Sequence, residues 1–484
     1  MIIRNREQLL AHGNAVARGV VLDILEAGLK GGDPYDRVKS LVRLEGNKLL
    51  VGNDLQHPDP LDPLHPAYSP RPTPSGPLVF DLSQVGRIYV VGGGKAAQRQ
   101  AQALEEILGD LITDGQVNAK KGDEVYLRRI PVTLAGHPLP DEDSVAGASR
   151  ILAIENNARK DDIVFLSESG GGSALMTLPA PGVSLQDLQE VNRILYFGCG
   201  ASMPEINAVR NLMSIVRLRH ARYVGEATLI HIGTTELPPD LRVHLNRPQR
   251  EDDPYRYAID LLKRYGCWDQ VPQSVRDFLT VADPKYLPLR PEEWYDKPRY
   301  YFRVMGPEFM LEAALKKAQS MGLAATILIS SLSDVEAQPA ANTLAYISQE
   351  IETYGRPLEP PCVLLCGGEL VVTVGREQGV GGRNQEFVLA AAPRIEGSEG
   401  IVIASADSDG TDGPTDLAGG IVDGTTMERA RQAGIDVGLE LRRHNSTPVL
   451  KRLGDAIDTG VGKTNVRDLR VIYVSGRVRG SGKD

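Results

Sequence analysis

Residues 87–104 read RIYVVGGGKAAQRQAQAL, and residues 162–176 read DIVFLSESGGGSALM. Each stretch begins with a short apolar run, passes through three consecutive glycines and continues into helix-forming residues. Apolar runs of this length are typical of buried strands, and a glycine turn before a helical pattern marks the passage from strand to helix. The two stretches therefore predict strand–turn–helix units, which are the building blocks of an α/β fold.

The same rhythm continues along the chain. Apolar residues at helical spacing over 6–30 predict an N-terminal amphipathic helix that ends at Gly31. Further strands are predicted for the apolar runs ATLIHIG (227–233), ATILIS (325–330), CVLLCGG (362–368), LVVTVG (370–375), IVIASAD (401–407) and LRVIYVS (469–475). Several of these runs are apolar throughout, as is typical of strands buried on both faces. The fold class expected from the pattern is α/β.

Proline-rich segments divide the chain. HPDPLDPLHPAYSPRPTPSGP contains eight prolines and predicts an extended loop over 54–77. A second polar, proline-rich stretch, DPKYLPLRPEEWYDK at 283–297, is the expected domain boundary. The sequence thus predicts an N-terminal domain at 1–296, a C-terminal domain at 297–475 and a disordered tail at 476–484.

Composition excludes several classes of function. The 484 residues include 54 basic and 63 acidic side chains, and the resulting net charge of −9 disfavours binding to nucleic-acid phosphates. Four cysteines are too few for a disulfide framework in a chain of this length. No run of about 18 apolar residues occurs, and the N-terminus lacks the apolar core of a signal peptide. We expect a cytoplasmic protein that acts on a small molecule, without nucleic-acid or membrane partners.

The first strand end, VVGGGKAA at 90–97, has the spacing of dinucleotide-binding turns at Gly92, Gly94 and Ala97. Such a site also needs an acidic residue at the end of the next strand, and LITDGQVNAKKGD offers none there. An NAD(P)-dependent reductase is therefore one alternative. Lys95 suits another role, because an ammonium group on a glycine turn can neutralise an anionic substrate or a transferring phosphoryl group. A solvated lysine is the simpler explanation.

The second strand end is SESGGGSALM at 167–176. Its three glycines expose backbone N–H groups that could surround phosphate oxygens. It lacks the Gly-Lys-Ser/Thr ending of a Walker loop, and Leu175 occupies the second glycine position of a hydrolase elbow. Tight-turn glycines without a ligand are the alternative. His137, in AGHPLPDEDS, is expected to be a turn residue or a substrate contact.

Two later segments carry charge. Arg383 follows the glycines of GVGGRNQEFVLAA and could bind a carboxylate or phosphate through two parallel hydrogen bonds. The segment IVIASADSDGTDGPTDLAGG contains four carboxylates after a predicted strand, Asp407, Asp409, Asp412 and Asp416. Carboxylates at this density commonly bind Mg²⁺ or accept a proton. A surface arginine and an acidic turn are the alternatives.

Several motifs occur in a characteristic order, namely GGGKAA, AGHPLPDEDS, SGGGSALM, INAVR, LLKRYGCWDQVPQSVRDFL, GGE, GGRNQE, ASADSDGTDGPTDLAGGIVDG and GKTNVRDL. With these motifs in this order, the sequence resembles the glycerate 2-kinases of the MOFRL type across most of its length. The resemblance implies two α/β domains around a cleft, a Rossmann-like N-terminal domain and a MOFRL-type C-terminal domain. It also implies ATP and Mg²⁺ as cofactors and phosphoryl transfer to the 2-hydroxyl of D-glycerate. Some members of the family are named hydroxypyruvate reductases, and a homodimer is a further expectation.

The resemblance also assigns roles to residues. Lys95 and Arg383 match the positions proposed for catalysis and for substrate or phosphate binding. Asp407 and Asp409 match the acidic motif and are the expected Mg²⁺ ligands, with Asp407 also a candidate base. The expected cofactor-binding residues are Ser169, Gly170, Gly171, Gly172, Ser173, Glu369 and Asn465.

The resemblance breaks at three places. After INAVR the family has Lys-His-Leu-Ser, whereas residues 211–214 here are Asn-Leu-Met-Ser and lack the cation. A Ser-Asp-Val turn and the following Ile-Ala-Ser-Gly-Pro-Thr are replaced around Gly233, and Gly-Ser-Asn is replaced by Gly-Pro-Glu at 306–308. Loss of polar groups in one region is typical of a changed ligand. Another small hydroxy or sugar acid is therefore an alternative acceptor, and a relative that binds a metabolite without kinase activity is a further alternative.

Overall fold

The computed structural model describes residues 2–52, 76–199, 201, 203–233, 253–289, 293–294, 296–374, 379–460, 464 and 466–476. The predicted loop at 54–77 and the predicted tail at 476–484 lie outside these residues, except for 76, 77 and 476, and Asn465 also lies outside them. The chain forms two compact units. The central unit is Pro34–Val304, and the terminal unit combines Met1–Asp33 with Met305–Asp484.

The central unit contains a fully parallel six-stranded sheet. A small antiparallel sheet precedes it, made of β1 (Val42–Glu45), β2 (Lys48–Val51) and β3 (Leu78–Asp81). The main strands are β4 (Ile88–Gly93), β5 (Ile112–Lys120), β6 (Val132–Ala135), β7 (Ile163–Glu168), β8 (Thr228–Gly233) and β9 (Arg299–Arg303). Their order is β6-β5-β4-β7-β8-β9, with every neighbouring pair parallel. This is the order of doubly wound sheets, in which ligands bind at the carboxyl ends of the two central strands.

Helices surround this sheet. Their bounds are Pro34–Leu41, Ala97–Leu108, Glu142–Asn157, Gly172–Leu175, Leu185–Arg193, Met203–Arg210, His220–Tyr223, Pro254–Arg264 and Gln273–Val281, with short helices at Gly109–Leu111, Ile194–Gly198 and Pro284–Tyr286. All six residues of β4 and of β7 are buried, which explains why both strands are apolar along nearly their whole length. The predicted strand–turn–helix units are thus confirmed.

The terminal unit contains a mixed six-stranded sheet. Its strands are β10 (Ala324–Ile329), β11 (Cys362–Gly368), β12 (Ile401–Asp407), β13 (Gly419–Asp423), β14 (Ala456–Ile457) and β15 (Asp468–Val474), in the order β10-β11-β15-β12-β13-β14. Only β10 and β11 are parallel among these neighbours. The helices are Arg6–Leu10, Ala15–Gly31, Pro307–Ser320, Ala337–Tyr354, Arg383–Ala391, Thr426–Gln432, Val437–Arg442 and Ser446–Leu453. The predicted α/β class is confirmed for both units.

Two predicted elements differ in the structure. The predicted strand at 370–375 is wrong, because Val371 forms only an isolated bridge with Glu336. The predicted helix at 6–30 is two helices, because Gly13 adopts a φ of +65° and Asn14 caps the second helix by accepting a hydrogen bond from the Ala17 N–H. Apolar spacing alone does not reveal such a break, since it continues on both sides of the turn.

The N-terminal segment packs within the terminal unit, although the sequence placed it in a domain at 1–296. Helix Ala15–Gly31 contacts helix Pro307–Ser320 and strands β12 and β15. The contact is close: a Cβ at Gly28 would lie 2.3 Å from a side-chain carbon of Leu469, and one at Gly31 would lie 2.2 Å from the Cβ of Ala313. Glycine is required at both positions because no side chain fits there.

A buried ionic cluster fixes this segment. Arg18 is fully buried and bonds to Asp423 at 2.5 Å and to Asp455 at 2.8 Å. Asp455 also accepts hydrogen bonds from Arg429 at 2.7 Å and from His12 at 2.9 Å. Burial would raise the pKa of Asp423, but the charge of Arg18 and hydrogen bonds lower it to about 2. The cluster therefore favours the ionised form of Asp423 inside the protein.

Within the described residues, no helix combines the length and the apolar character needed to cross a lipid bilayer.

Replacing Arg18 with alanine should destabilise the protein by about 3–5 kcal/mol, because Asp423 would remain buried without its arginine and Asp455 would keep only Arg429 of its two arginines. Lys30→Ala is the matched control on the same helix, since its pair with Glu26 is exposed at the lysine and should contribute about 0–1 kcal/mol. Urea unfolding followed by circular dichroism measures both variants. Equal stabilities for the two variants would show that Arg18 does not fix the segment.

Candidate active site

In the central unit, the carboxyl ends of β4 and β7 approach each other closely. A Cβ at Gly92 would lie 1.9 Å from the carbonyl oxygen of Ser167, and one at Gly94 would lie 2.2 Å from Ser169 Oγ. Both glycines also have positive φ values, +154° and +142°. Glycine is needed at these positions because the neighbouring loop occupies the space of a side chain.

The loop after β7, Ser169–Ser173, is hereafter the glycine loop. It bonds directly to the turn after β4: the Lys95 N–H donates to the Gly170 carbonyl at 2.9 Å, and the Ala96 N–H donates to Ser169 Oγ at 2.8 Å. Lys95 is half-buried at this junction. The structure therefore brings together two groups that the sequence nominated separately.

His137 lies at the same loop. A Cβ at Gly171, where φ is +90°, would lie 3.1 Å from His137 Cδ2. Beneath the loop, two side chains that the sequence analysis did not nominate form a buried ion pair, Glu168 and Arg217. Glu168 ends the apolar run of β7, and a charged residue in that position is a signal that could have identified it.

The geometry disfavours a dinucleotide at this turn. The close approach of the two loops already explains Gly92 and Gly94. The neighbouring strand β5 ends at Lys120, and the first carboxylate after it, Asp123, accepts a hydrogen bond from the Lys120 N–H within the turn that follows.

In the terminal unit, two carboxylates face each other on adjacent strands. Asp407 at the end of β12 pairs in register with Asp468 at the start of β15. Arg383, the first residue of its helix, donates from Nε to the two oxygens of Asp468 at 3.0 and 2.9 Å and from Nη2 to Asp407 Oδ2 at 2.5 Å. We name these three residues the arginine–carboxylate cluster. Arg383 thus makes two hydrogen bonds to a carboxylate of the protein itself, and its predicted interaction with a ligand stays a prediction.

The charges of this cluster shift its pKa values. Burial raises the pKa of Asp407 well above its ordinary value, and the negative charges of Asp409 and Asp468 add to this, while Arg383 opposes it. Burial would lower the pKa of Arg383, but the charges of Asp468, Asp407 and Glu369 outweigh it and raise that pKa. A raised pKa favours the protonated form of Asp407, and the buried Arg470 also pairs with Asp468 at 2.7 Å, so positive charge offsets the negative charge of these carboxylates.

Polar residues next to Arg383 hold its helix in place. The carboxylate of Asp412 accepts hydrogen bonds from the backbone N–H groups of Asn384 at 3.1 Å and Gln385 at 2.9 Å. The side chain of Asn384 also donates to Asp468 at 3.0 Å. The carboxylate caps the positive end of the helix, which is a favourable position for a negative charge. Sequence reasoning missed Asp468, which precedes a predicted strand instead of following one.

Of the other acidic residues that the sequence predicted, Glu369 and Asp409 lie beside the arginine–carboxylate cluster and Asp416 does not. Glu369 is half-exposed with Oε1 3.4 Å from Arg383 Nη2. Asp409 donates its backbone N–H to Asp407 Oδ1 at 2.9 Å, and its own carboxylate accepts from Thr411. Asp416 is largely exposed and contacts Lys451 at 3.5 Å, so the structure does not place it in the cluster.

Asp407 and Asp409 would supply only part of the coordination of a magnesium ion. The described residues contain no ready group of three or more His, Cys, Asp or Glu side chains for a metal. Mg²⁺ commonly binds through one or two carboxylates and completes its coordination with water and substrate phosphates. The carboxylates of Asp407 and Asp409 match that donor set, whereas the described residues form no closed protein cage.

Comparison with known proteins identifies the family. The domain of unknown function DUF4147 matches residues 20–280, and the MOFRL family matches residues 362–468. A glycerate 2-kinase of Pyrococcus horikoshii is 37% identical over 469 residues, which cover 95% of this chain and 99% of that protein. The chain belongs to the glycerate 2-kinase family of the MOFRL type. The resemblance inferred from the motifs is confirmed.

Two further relatives bear on fold and function within the glycerate 2-kinase family. The crystal structure of a glycerate kinase from Thermotoga maritima has a TM-score of 0.70 and 35% identity, covering 81% of this chain and 92% of that one. A protein of Agrobacterium vitis, provisionally named hydroxypyruvate reductase, is 34% identical over 395 residues, covering 80% of this chain and 87% of that protein.

The structure shows the surroundings of the three departures from the glycerate 2-kinase pattern. The backbone carbonyl of Asn211 accepts a hydrogen bond from the buried Arg219. A Cβ at Gly233 would lie 2.7 Å from the ring of Tyr301. Gly306 precedes helix Pro307–Ser320, and the Glu308 carboxylate lies against it. The segment after Gly233, at 234–252, lies outside the described residues.

Asp412 should make stability depend on pH. Burial raises the pKa of Asp412 to about 6. The folded protein therefore keeps this proton up to about pH 6, whereas the unfolded chain loses it near pH 4. The resulting stabilisation, about 3 kcal/mol, is complete below about pH 4 and is lost as the pH rises through about 6.

Urea unfolding of the wild type and of Asp412→Asn at pH values between about 4 and 7 tests this. The variant loses a capping carboxylate and should be less stable throughout, so the informative quantity is the difference between the two proteins. That difference should shrink with rising pH. A constant difference would mean that Asp412 titrates normally.

Proposed function

We propose that this protein is an ATP-dependent kinase that transfers a phosphoryl group to the 2-hydroxyl of D-glycerate and forms 2-phosphoglycerate. It is an enzyme of the class that uses alcohol groups as acceptors. The observation that carries the proposal is the junction of Lys95 with the glycine loop, which places a cation beside half-buried glycines at the carboxyl ends of two central parallel strands. The match to a named glycerate 2-kinase over 99% of that protein's length supports it.

In the central unit, the proposal assigns Lys95 and the glycine loop to an anionic group. Phosphoryl transfer requires positioning and neutralisation of negative charge more than covalent chemistry. Lys95 provides a positive charge, and the half-buried backbone of Gly170 and Gly171 provides N–H donors, whereas the Gly172 N–H donates to the Ser169 carbonyl. Ser169 Oγ accepts a hydrogen bond from the Ala96 N–H, so its own O–H is directed elsewhere and can donate to an anion.

In the terminal unit, Arg383 is the proposed anion-binding and catalytic residue. Its Nε and Nη2 atoms bond to Asp468 and Asp407, while Nη1 makes no hydrogen bond to a described residue and is available for an anionic oxygen. Asp407 and Asp409 are the proposed Mg²⁺ ligands, and Glu369 is the neighbouring carboxylate. Mg²⁺, when bound, would offset the charge of the nucleotide phosphates. Asp407 is also the proposed acceptor of the substrate hydroxyl proton.

Lys95→Met should lower kcat for ADP release with ATP, Mg²⁺ and D-glycerate by on the order of 100-fold, because it removes charge stabilisation at the reacting phosphoryl group. Lys39→Met in the same unit is the control, since its pair with Glu106 is exposed and lies outside the proposed site. The same assay is repeated with L-glycerate and with longer sugar acids as acceptors. Phosphorus NMR identifies the product.

Each outcome is decisive. Turnover of D-glycerate to 2-phosphoglycerate supports the proposal, and turnover of another acid only would show that the departures near 211–214 and Gly233 changed the acceptor. Ligand-induced thermal stabilisation without turnover with any acid would favour a metabolite-binding relative. A nicotinamide-dependent absorbance change with hydroxypyruvate would favour the reductase named for the Agrobacterium vitis relative.

We also propose that the protein is a homodimer that pairs through β10. This strand lies at the edge of its sheet, contains no charged residue, and exposes 38% of Leu328. Unprotected edge strands favour pairing with another chain, and a two-fold axis pairs identical strands antiparallel.

Leu328→Lys should convert the dimer to a monomer in multi-angle light scattering, because a charge would enter the paired edge. Val16→Lys is the control, since Val16 is 82% exposed in the same unit, away from the strand. A monomeric wild type, or a dimer that survives the substitution at 328, would overturn the assignment.

A cytoplasmic location is proposed as well. The four cysteines of the chain form no disulfide, and three of them are buried. This agrees with a compartment that keeps thiols reduced.

A further inference from the structure

A buried ion pair lies directly below the glycine loop. Glu168, the last residue of β7, and Arg217 are each 3% exposed, and Arg217 Nη1 donates to Glu168 Oε1. The second oxygen of Glu168 lies 3.2 Å from Nε2 of His231 on the adjacent strand β8. Burying such a pair costs desolvation energy, and apolar residues of similar volume are often as stable. Stability alone therefore does not account for the pair.

Arg217 contacts the glycine loop at two points. A Cβ at Gly172 would lie 3.3 Å from Arg217 Nη1, so the guanidinium lies immediately under the loop backbone. Arg217 Nη2 also donates to Ser173 Oγ in a long hydrogen bond of 3.5 Å. A guanidinium can only donate, so Ser173 Oγ accepts here and its own hydrogen points in another direction. Ser169 is oriented in the same manner by the Ala96 N–H.

The segment that carries Arg217 is rigidly built. The fully buried side chain of Arg219 donates from Nη1 to the carbonyls of Asn211, Ser214 and Arg217, at 3.1, 2.5 and 2.6 Å. Leu218, between the two arginines, has a φ of +64°. A branched apolar residue in this conformation is strained and persists only where the surroundings enforce it. The strained residue directly follows Arg217, so the surrounding structure fixes the backbone at this point.

We propose that Arg217 is a positioning residue for the glycine loop. It orients the Ser173 hydroxyl as a donor and supports the loop backbone, so that the loop binds an anionic oxygen of the ligand, and Glu168 fixes Arg217 in that position. The inference rests on the proposed kinase function and deepens it. The anionic oxygen belongs either to a nucleotide phosphate or to the carboxylate of the hydroxy acid.

The double variant Glu168→Gln with Arg217→Met tests the proposal, because it removes both charges, preserves approximate volume and leaves no buried charge unpaired. We expect an unfolding temperature close to that of the wild type. We also expect a KM at least 10-fold higher for one substrate, with kcat changed less. Calorimetric titration with ADP and with D-glycerate, each alone, identifies which ligand loses affinity. Arg222→Met is the control, because Arg222 pairs with half-buried Glu293 away from the loop.

The outcomes separate the two proposals. Wild-type kinetics and wild-type affinities in the double variant would overturn the role of Arg217 and leave the kinase intact. A wild type without turnover would overturn the kinase, while weaker ADP or D-glycerate binding in the double variant would still support a positioning role.

A second set of variants decides the question if the double variant does not fold. Ser173→Ala and Arg217→Lys are compared singly and together. Non-additive losses of ligand affinity support the proposal, because the arginine then acts through the serine. Additive losses contradict it.

Discussion

The terminal unit depends on one constraint, which is that Asp407 and Asp468 lie directly opposite each other on adjacent strands. Two carboxylates in register on adjacent strands repel each other, and such a pair persists only with a cation between them. Arg383 supplies that cation from the first turn of its helix, and the buried Arg470 adds a second one at Asp468. The start of the helix is therefore tied to the charges of the sheet, and the Asp412 carboxylate holds it by accepting hydrogen bonds from its first N–H groups.

A comparable constraint shapes the central unit, where backbone proximity takes the place of charge. The ends of β4 and β7 lie so close that Gly92 and Gly94 cannot carry side chains. A glycine spacing that matches a dinucleotide fingerprint thus arises from contact between two loops. The same contact brings Lys95 to the glycine loop, so one packing requirement both explains the glycines and places the cation.

Sequence patterns predicted strands such as β4, β7 and β12 well, because buried strands are apolar. Lys95 and Asp407 were selected as candidates because ligand-facing groups lie at the carboxyl ends of strands, and their roles stay predictions. Asp468 was missed because it precedes an antiparallel strand, which brings its N-terminal end to the same edge as the carboxyl end of β12. Arg217 was missed because its position depends on the fold of residues 211–219, which no periodic pattern records. The packing of Met1–Asp33 in the terminal unit was missed for a related reason, since tertiary contacts leave no local signal.

Hydrogen-bond polarity connects these observations with the choice of ligand. Around the glycine loop, Ser169 and Ser173 both accept hydrogen bonds from protein donors, and neither bond uses the hydrogen of the serine itself. Lys95 can only donate, and the carboxylate beneath the loop is turned toward Arg217 and His231. A surface that offers donors and keeps its acceptors engaged favours anionic oxygens over neutral hydroxyl groups, because a neutral hydroxyl would leave several donors without an acceptor. Both a nucleotide phosphate and the carboxylate of a small hydroxy acid satisfy this requirement, whereas a neutral sugar does not.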